Sequence, residues 1–132
     1  MEIGKLVVAV VENDAAMLKA LERLLRASGF ITELFASAEQ FLARPSDGKI
    51  ACLLLDIDLG GITGIELQQH LVEQGDAPPI IFITSQVDGS YEARAHALGC
   101  LAFLRKPFAS PQLLNALNAA VNRATTTEGI LP

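Results

Sequence analysis

The amino-acid sequence predicts an α/β protein with a five-stranded parallel sheet and helices on both faces. Apolar, strand-like runs alternate with helix-like periodicity along the chain, and the connections between them are short. Five strand–helix repeats of this kind imply a parallel sheet that is covered on both sides. We expect one domain over residues 1–123, with residues 124–132 as a flexible tail or the start of a linker.

The first half of the chain contains three predicted strands, at residues 5–11, 30–36 and 50–56, and two helices, at residues 14–27 and 37–43. The first strand, KLVVAVV, is short and β-branched, which is typical of a strand that is buried on both faces. Gly29 follows the first helix in the usual C-terminal position. The second strand alternates apolar and polar residues, which indicates a sheet edge, whereas the third is the most apolar and should be central.

The second half contains two further strands, at residues 79–85 and 101–106, and three helices, at residues 63–74, 88–98 and from Ser110 onward. Thr63 and Glu66 have the spacing of a capping box at the start of the third helix. Gly99 closes the alanine-rich fourth helix. Ser110 is expected to cap the fifth helix, with Pro111 at its first position.

Composition excludes several classes of function. The formal net charge is -5 and no basic cluster is present, so this chain is not expected to bind nucleic acid directly. No apolar run approaches membrane-spanning length, because Asp56 interrupts the longest one, and the N-terminus resembles a strand rather than a signal peptide. Cys52 and Cys100 lie in apolar segments interpreted as strands, which favours buried thiols in a reducing cytoplasm over a disulfide. His70 and His96 are expected on exposed helix faces.

Polar residues follow the ends of four predicted strands and should meet at one edge of the sheet, where parallel α/β proteins bind ligands. They are Glu12 and Asn13 after the first strand, Asp56 after the third, Thr84 and Ser85 after the fourth, and Lys106 after the fifth. Oxygen ligands of this kind suit Mg²⁺, and a carboxylate can act as a nucleophile toward phosphorus. A metal ion, a lysine and a hydroxyl would neutralise the charge on a transferring phosphoryl group. The sequence therefore predicts phosphoryl transfer to an aspartate.

Four segments together resemble the receiver domain of bacterial two-component response regulators. They are VVEND (10–14), LLLDIDLGGITGIEL (53–67), IFITS (81–85) and FLRKPF (103–108). The resemblance covers nearly the whole chain and implies a flavodoxin-like, doubly wound (βα)5 fold with strand order 2-1-3-4-5. It also implies a cytoplasmic signalling phosphoprotein rather than an enzyme, one that catalyses only its own phosphorylation and dephosphorylation. The phosphoryl group would come from a histidine kinase or a phosphotransfer protein.

The resemblance further implies roles for individual residues. For phosphoryl transfer these are Asp56 as the acceptor, Thr84 as the hydroxyl that follows the phosphoryl group, and Lys106 as its salt-bridge partner. For the switch and access to the site they are Phe103 as the reorienting aromatic, Ser85 as the small residue, and Pro107 after a cis bond. For Mg²⁺ they are Glu12, Asn13, Asp56 and the backbone carbonyl of Asp58. Phosphorylation would remodel the face formed by helix 4, strand 5 and helix 5, which is also the expected site of homodimerisation or partner binding.

Two positions depart from the family pattern. Family members usually carry two acids after the first strand, but Asn13 keeps an oxygen ligand while losing a negative charge, so we expect weaker Mg²⁺ binding. Asp14 is the nearest replacement acid, although its position suits a cap for the first helix. Gly60 stands where the family usually has proline, which should loosen the loop after Asp56.

Two alternatives compete with a working receiver. The first is a degenerate receiver that acts as a phosphorylation-independent interaction module, and Asn13 supports it. The second is a haloacid-dehalogenase-like phosphatase, because the DxD pattern of Asp56 and Asp58 is shared. Two features count against the phosphatase. Its motif normally lies on the first strand, and a further acidic metal-binding pair should follow the lysine, whereas the only acid after Lys106 is Glu128. SAEQFL (37–42) and FLRKPF are similar to receivers of LuxR-type transcription factors, whose DNA binding belongs to a separate output domain.

Overall fold

A five-stranded parallel sheet organises the part of the chain that the computed structural model describes, residues 6–45, 49–86 and 88–129, with side chains to residue 122. The strands are β1 (Val7–Val11), β2 (Ile31–Phe35), β3 (Cys52–Leu55), β4 (Ile80–Thr84) and β5 (Ala102–Arg105). Their order across the sheet is β2-β1-β3-β4-β5, and every neighbouring pair is parallel. The predicted fold class and strand order are therefore confirmed, with β2 at an edge and β3 at the centre.

Five helices connect and follow the strands. They are α1 (Ala15–Ala27), α2 (Ala38–Leu42), α3 (Gly64–Glu73), α4 (Gly89–Ala97) and α5 (Ser110–Gly129). The helix α5 begins at Ser110 itself. The prediction that Ser110 is the cap and Pro111 the first helical residue was therefore wrong by one position. Instead, the backbone N–H of Ala109 donates to Oε1 of Gln112. The interpretation of residues 124–132 as a tail or linker stays a prediction, with residues 124–129 helical and the last three outside the described part.

The helix ends use the local signals expected from the sequence. Asp14 caps α1 by accepting hydrogen bonds from the backbone N–H groups of Ala16 and Met17. Thr63 and Glu66 form the predicted capping box of α3, with both reciprocal bonds present. Gly29 ends α1 with φ at 95°, a left-handed conformation that glycine adopts without strain. These caps determine where each helix begins or ends relative to the strands.

The two faces of the sheet bury separate apolar clusters. Alternate strand residues point to opposite faces, so Val8 and Val10 of β1 lie in one cluster while Ala9 and Val11 lie in the other. The first cluster is completed by apolar residues of α1 and α5, and the second by those of α2, α3 and α4. Helices therefore cover both faces, and the sheet edge at the carboxyl ends of the strands remains available for a site.

The two cysteines differ in burial. Cys52 is buried in β3 as expected, but Cys100 lies just before β5 and is only half-buried, so its placement in a buried strand was wrong. The apolar run there starts too close to the end of α4 to be paired from its first residue. Both thiols are free, and His70 and His96 are exposed as predicted. Within the described ranges, none of the helices combines the length and apolar character needed to cross a membrane.

Candidate functional site

The site lies where β1, β3, β4 and β5 end at the same edge of the sheet. Asp56 directly follows β3, and its backbone N–H donates to the carbonyl of Val11 at 3.0 Å. The backbone N–H of Lys106 donates to the carbonyl of Thr84 at 2.8 Å. These bonds continue the sheet ladder by one residue beyond the strands, so the polar side chains emerge together from rigid backbone.

Lys106 bridges two buried carboxylates at the centre of this edge. Its Nζ lies 2.7 Å from Oε1 of Glu12 and 3.4 Å from Oδ2 of Asp56. Glu12 is completely buried, and Asp56 is only 5% exposed. The other Glu12 oxygen, Oε2, accepts a hydrogen bond from the backbone N–H of Asp14 at 3.0 Å. Glu12 and Asp56 are 44 positions apart in the sequence, and Asp56 and Lys106 are 50 apart. The three side chains thus form one charged cluster of one cation and two carboxylates.

Burial and charge shift the titration of Asp56. Its pKa is raised to about 6, first because burial penalises the carboxylate and second because the Glu12 carboxylate lies beside it. Lys106 and the backbone N–H of Asp58 act in the opposite direction by favouring the ionised form. For Lys106, burial alone would lower the pKa, but its bonds and charge interactions with Glu12 and Asp56 outweigh that effect and raise it. Lys106 is therefore a cation at physiological pH, and Asp56 changes its charge at a pH just below the physiological range.

Replacing Asp56 with asparagine should stabilise the metal-free protein increasingly as the pH rises from about 4 to about 6. The ordinary aspartate pKa of 3.8 is raised to about 6 on folding, so the folded wild type binds more protons than the unfolded chain in this window. Wild-type stability is then full below the unfolded pKa and falls as the pH rises through the folded pKa, whereas asparagine cannot ionise. Urea unfolding of both proteins across this range, with a chelator present, measures the difference. A difference that does not change with pH would contradict the expectation.

Thr84 and Phe103 occupy the positions predicted for them at the end of β4 and within β5. Thr84 is buried, and its Oγ1 accepts a hydrogen bond from the backbone N–H of Gln86 at 3.0 Å. Ser85 is exposed next to it. The half-buried Phe103 ring lies 5.8 Å from that of Phe82, measured between centroids. The peptide bond between Lys106 and Pro107 is cis. The switch roles of these residues stay predictions.

Two of the donors predicted for Mg²⁺, the carboxylates of Glu12 and Asp56, lie close to each other, since both contact Nζ of Lys106. Within the described ranges, no group of three or more His, Cys, Asp or Glu side chains could hold a metal ion. Asp58 is exposed, and Asp14 is engaged in capping α1. The remaining donors are Glu12, Asp56, an amide and a backbone carbonyl. Carboxylate oxygens have further lone pairs beyond the bonds described, so this set fits a hard cation that also keeps several waters.

The exposed Asn13 lies beside the loop that follows Asp56. A Cβ atom at Gly60, whose φ is +82°, would lie 3.9 Å from Nδ2 of Asn13. On the other side of the loop, Oε2 of Glu39 accepts a long hydrogen bond of 3.4 Å from the backbone N–H of Ile62. The amide predicted to replace an acid is therefore exposed next to the loop after Asp56, and a Cβ atom at Gly60 would make only an ordinary van der Waals contact with it.

Sequence reasoning missed Gly64, the first residue of α3. A Cβ atom there would lie 2.2 Å from the carbonyl oxygen of Asp56, far inside van der Waals contact. The backbone of α3 thus packs directly against the backbone that carries the candidate acceptor. Only glycine permits this approach, but no local pattern signals it, because Gly64 neither follows the C-terminal end of a helix nor has a positive φ.

The fold and this edge define a doubly wound α/β protein with a buried acid pair and a lysine at the carboxyl ends of its strands. The model of the response regulator receiver domain family matches residues 8–118. TodT, a response regulator protein of Pseudomonas putida, is 36% identical over 118 residues, which cover 89% of this chain and 52% of TodT. The transcriptional regulatory protein FixJ of Bradyrhizobium diazoefficiens is 33% identical over 115 residues, 87% of this chain and 56% of FixJ.

A solved structure agrees with these relatives. The crystal structure of a response regulator receiver protein from Burkholderia phymatum has a TM-score of 0.77 and 37% identity, covering 89% of this chain and 96% of that one. The chain belongs to the response regulator receiver domain family. It spans about half the length of the curated relatives TodT and FixJ.

Proposed function

We propose that this receiver domain accepts a phosphoryl group on Asp56 from the phosphohistidine of a histidine kinase or phosphotransfer protein, in a Mg²⁺-dependent reaction in the cytoplasm. The observation that carries the proposal is the position of Lys106, whose Nζ lies 3.4 Å from the buried Asp56 carboxylate at the end of the central strand. A largely buried cation beside a carboxylate is the arrangement that phosphoryl transfer needs, because charge builds up on the phosphoryl oxygens.

In the proposed transfer, one Asp56 oxygen forms a bond to phosphorus while the phosphorus–nitrogen bond of phosphohistidine breaks. The leaving imidazole keeps the electron pair and takes up a proton. Lys106 would hold a phosphoryl oxygen, and the Thr84 hydroxyl would donate a hydrogen bond to another. Mg²⁺ would be held by Glu12, Asn13, Asp56 and the backbone carbonyl of Asp58, and would neutralise part of the phosphoryl charge. The nucleophile must be ionised, which a pKa of about 6 permits at neutral pH.

The proposed output is a change in the face formed by α4, β5 and α5. Movement of Thr84 toward the phosphoryl group would let Phe103 rotate inward, which shifts the population of two arrangements of this face. The remodelled face would then form a homodimer or bind a partner. DNA binding, if the full protein regulates transcription as the name of FixJ indicates for that relative, would belong to an output domain.

Intact-mass measurement after incubation with Mg²⁺ and a small phosphodonor tests the proposal. Wild type should gain the mass of one phosphoryl group, and Asp56→Asn should gain none. If wild type forms no Asp56-dependent adduct while Asn13→Asp does, the degenerate receiver is correct and the working receiver is wrong. Rapid turnover of generic phosphate esters would instead support the phosphatase, which the position of Asp56 after the third strand and the family membership disfavour.

Replacing Asn13 with aspartate should tighten Mg²⁺ binding by on the order of tenfold, because one more anionic oxygen is added at the mouth of the site. Asn13 is exposed, so the added charge carries little desolvation penalty. Isothermal titration with MgCl₂ measures the dissociation constant directly. Asn122→Asp, an equally conservative change at an exposed position on α5, is the matched control and should leave it unchanged. Equal dissociation constants for Asn13→Asp and wild type would show that residue 13 does not contact the ion.

A further inference from the structure

Arg105, the last residue of β5, contacts three parts of the structure around the end of β4. Its Nη1 donates to the backbone carbonyl of Gln86 at 2.7 Å, and its Nη2 lies 3.1 Å from Oε1 of Glu92 on α4. Its Cζ lies 5.7 Å from the centroid of the Phe103 ring. A planar guanidinium can bond two acceptors in fixed directions while it stacks on an aromatic ring, which an ammonium group cannot do.

Gln86 connects these contacts to the candidate phosphorylation site. Its backbone N–H donates to Oγ1 of Thr84 at 3.0 Å, while its backbone carbonyl accepts from Arg105. A single residue of the loop after β4 is thus held on one side by the buried Thr84 hydroxyl and on the other by Arg105. If Thr84 moves toward a phosphoryl group on Asp56, this bond to Gln86 has to lengthen or break.

We propose that Arg105, Gln86 and Glu92, which we call the Arg105 bridge, hold the β4–α4 loop and α4 in the unphosphorylated arrangement. Arg105 is then a positioning residue that acts on Thr84 through Gln86, and release of the Arg105 bridge is part of the switch. The link to switching rests on the proposed phosphorylation of Asp56, whereas the restraint on the loop does not. Because Arg105 also lies over the Phe103 ring, the same side chain contacts one predicted switch residue directly and the hydrogen-bond partner of the other, Thr84.

The expected size of the effect follows from exposure. The side chains of Arg105 and Glu92 are 45% and 40% exposed, so solvent screens their ion pair. The short, charge-assisted bond to the Gln86 carbonyl is the stronger half of the Arg105 bridge. Removing it should raise the population of the released arrangement by about two- to fivefold, and the rate of reaction with a phosphodonor by the same factor.

Arg105→Lys tests the proposal, because it keeps the positive charge but loses the planar guanidinium that bonds two acceptors at once. The matched control is Arg94→Lys on α4, where the arginine interacts with Glu66. Two quantities are measured for wild type and both variants: hydrogen exchange of the Gln86 amide by NMR, and the rate of the phosphoryl mass increase with acetyl phosphate and Mg²⁺. Arg105→Lys should exchange the Gln86 amide at least about twofold faster and form the adduct two- to fivefold faster, with no change in the control.

Each other outcome has a defined meaning. Unchanged exchange at Gln86 would overturn the restraint on the loop. Faster exchange with an unchanged adduct rate would overturn the link to switching. If no protein forms an adduct, wild type included, the proposed phosphorylation fails and with it the link to switching, while the exchange measurement still decides whether the Arg105 bridge restrains the loop.

Discussion

Replacing Lys106 with methionine should lower the free energy of unfolding by about 3 kcal/mol near pH 8, the loss expected when one partner of a buried ion pair is removed. Methionine keeps most of the aliphatic stem but leaves two carboxylates without their cation. Glu12 is completely buried, and the Lys106 side chain itself is only 17% exposed, so water replaces little of the lost interaction. Urea unfolding monitored by far-UV circular dichroism measures the difference.

The loss in Lys106→Met should be smaller at pH 5 than at pH 8. Burial and the neighbouring Glu12 already raise the pKa of Asp56 to about 6, and removal of Lys106 takes away the cation that opposes them. Folding of the variant therefore takes up a proton over a wider range, and its stability falls as the pH rises through that range. Adding Asp56→Asn to Lys106→Met should recover part of the stability at pH 8, because only one buried acid then remains.

Lys19→Met is the matched control for Lys106→Met. Lys19 lies 3.9 Å from Glu22 on α1, but its side chain is 67% exposed. Exposed pairs of this kind contribute less than about 1 kcal/mol, and the loss should show little dependence on pH. Equal losses in the two lysine variants would mean that the buried cluster does not depend on its cation.

The placement of the site residues at one edge of the sheet could be predicted because it depends on local chain geometry. In a parallel sheet, the residue that follows each strand lies at the same edge whichever helix comes next. A polar residue after an apolar run therefore identifies the edge without knowledge of loops or rotamers. Glu12, Asp56 and Lys106 follow this rule, and the structure brings both carboxylates within 3.4 Å of Nζ of Lys106.

The contacts that could not be predicted depend on where the helices lie and on which rotamers the side chains adopt. Arg105 follows the apolar residues of β5 and reads as an ordinary strand-end cation, and its bonds to Gln86 and Glu92 depend on where α4 lies. Strand lengths were also overestimated. The run predicted at residues 50–56 forms strand only at Cys52–Leu55, although the backbone N–H groups of Ala51 and Asp56 still donate to the carbonyls of Val7 and Val11 on β1. Apolar character alone cannot show where a strand ends.

Gly64→Ala should lower the free energy of unfolding by about 3 kcal/mol, at the upper end of the range for inserting a methyl group into a packed site. The new Cβ atom would lie 2.2 Å from the carbonyl oxygen of Asp56 and 3.0 Å from Cα of Ile57. Both are backbone atoms, so no side chain can rotate away to make room. The strain must be relieved by moving α3 or the segment after β3, and the hydrogen bond from the N–H of Gly64 to the carbonyl of Ile57, 2.9 Å long, resists that movement.

Gly89→Ala is the matched control for Gly64→Ala, because Gly89 is the first residue of α4 just as Gly64 is the first residue of α3. No described atom lies within 4 Å of a Cβ atom at Gly89, so alanine there should be neutral or slightly stabilising. Since the atoms displaced in Gly64→Ala belong to the backbone of Asp56, the distance of Asp56 from Lys106 should also change, and the phosphoryl adduct should form more slowly than in Gly89→Ala.

If the two alanine variants are equally stable, α3 moves without cost and the close approach of Gly64 does not position Asp56. If Gly64→Ala loses stability but keeps the adduct rate of wild type, the glycine serves packing alone, and the position of Asp56 depends on its ladder bond to Val11 and its contact with Lys106.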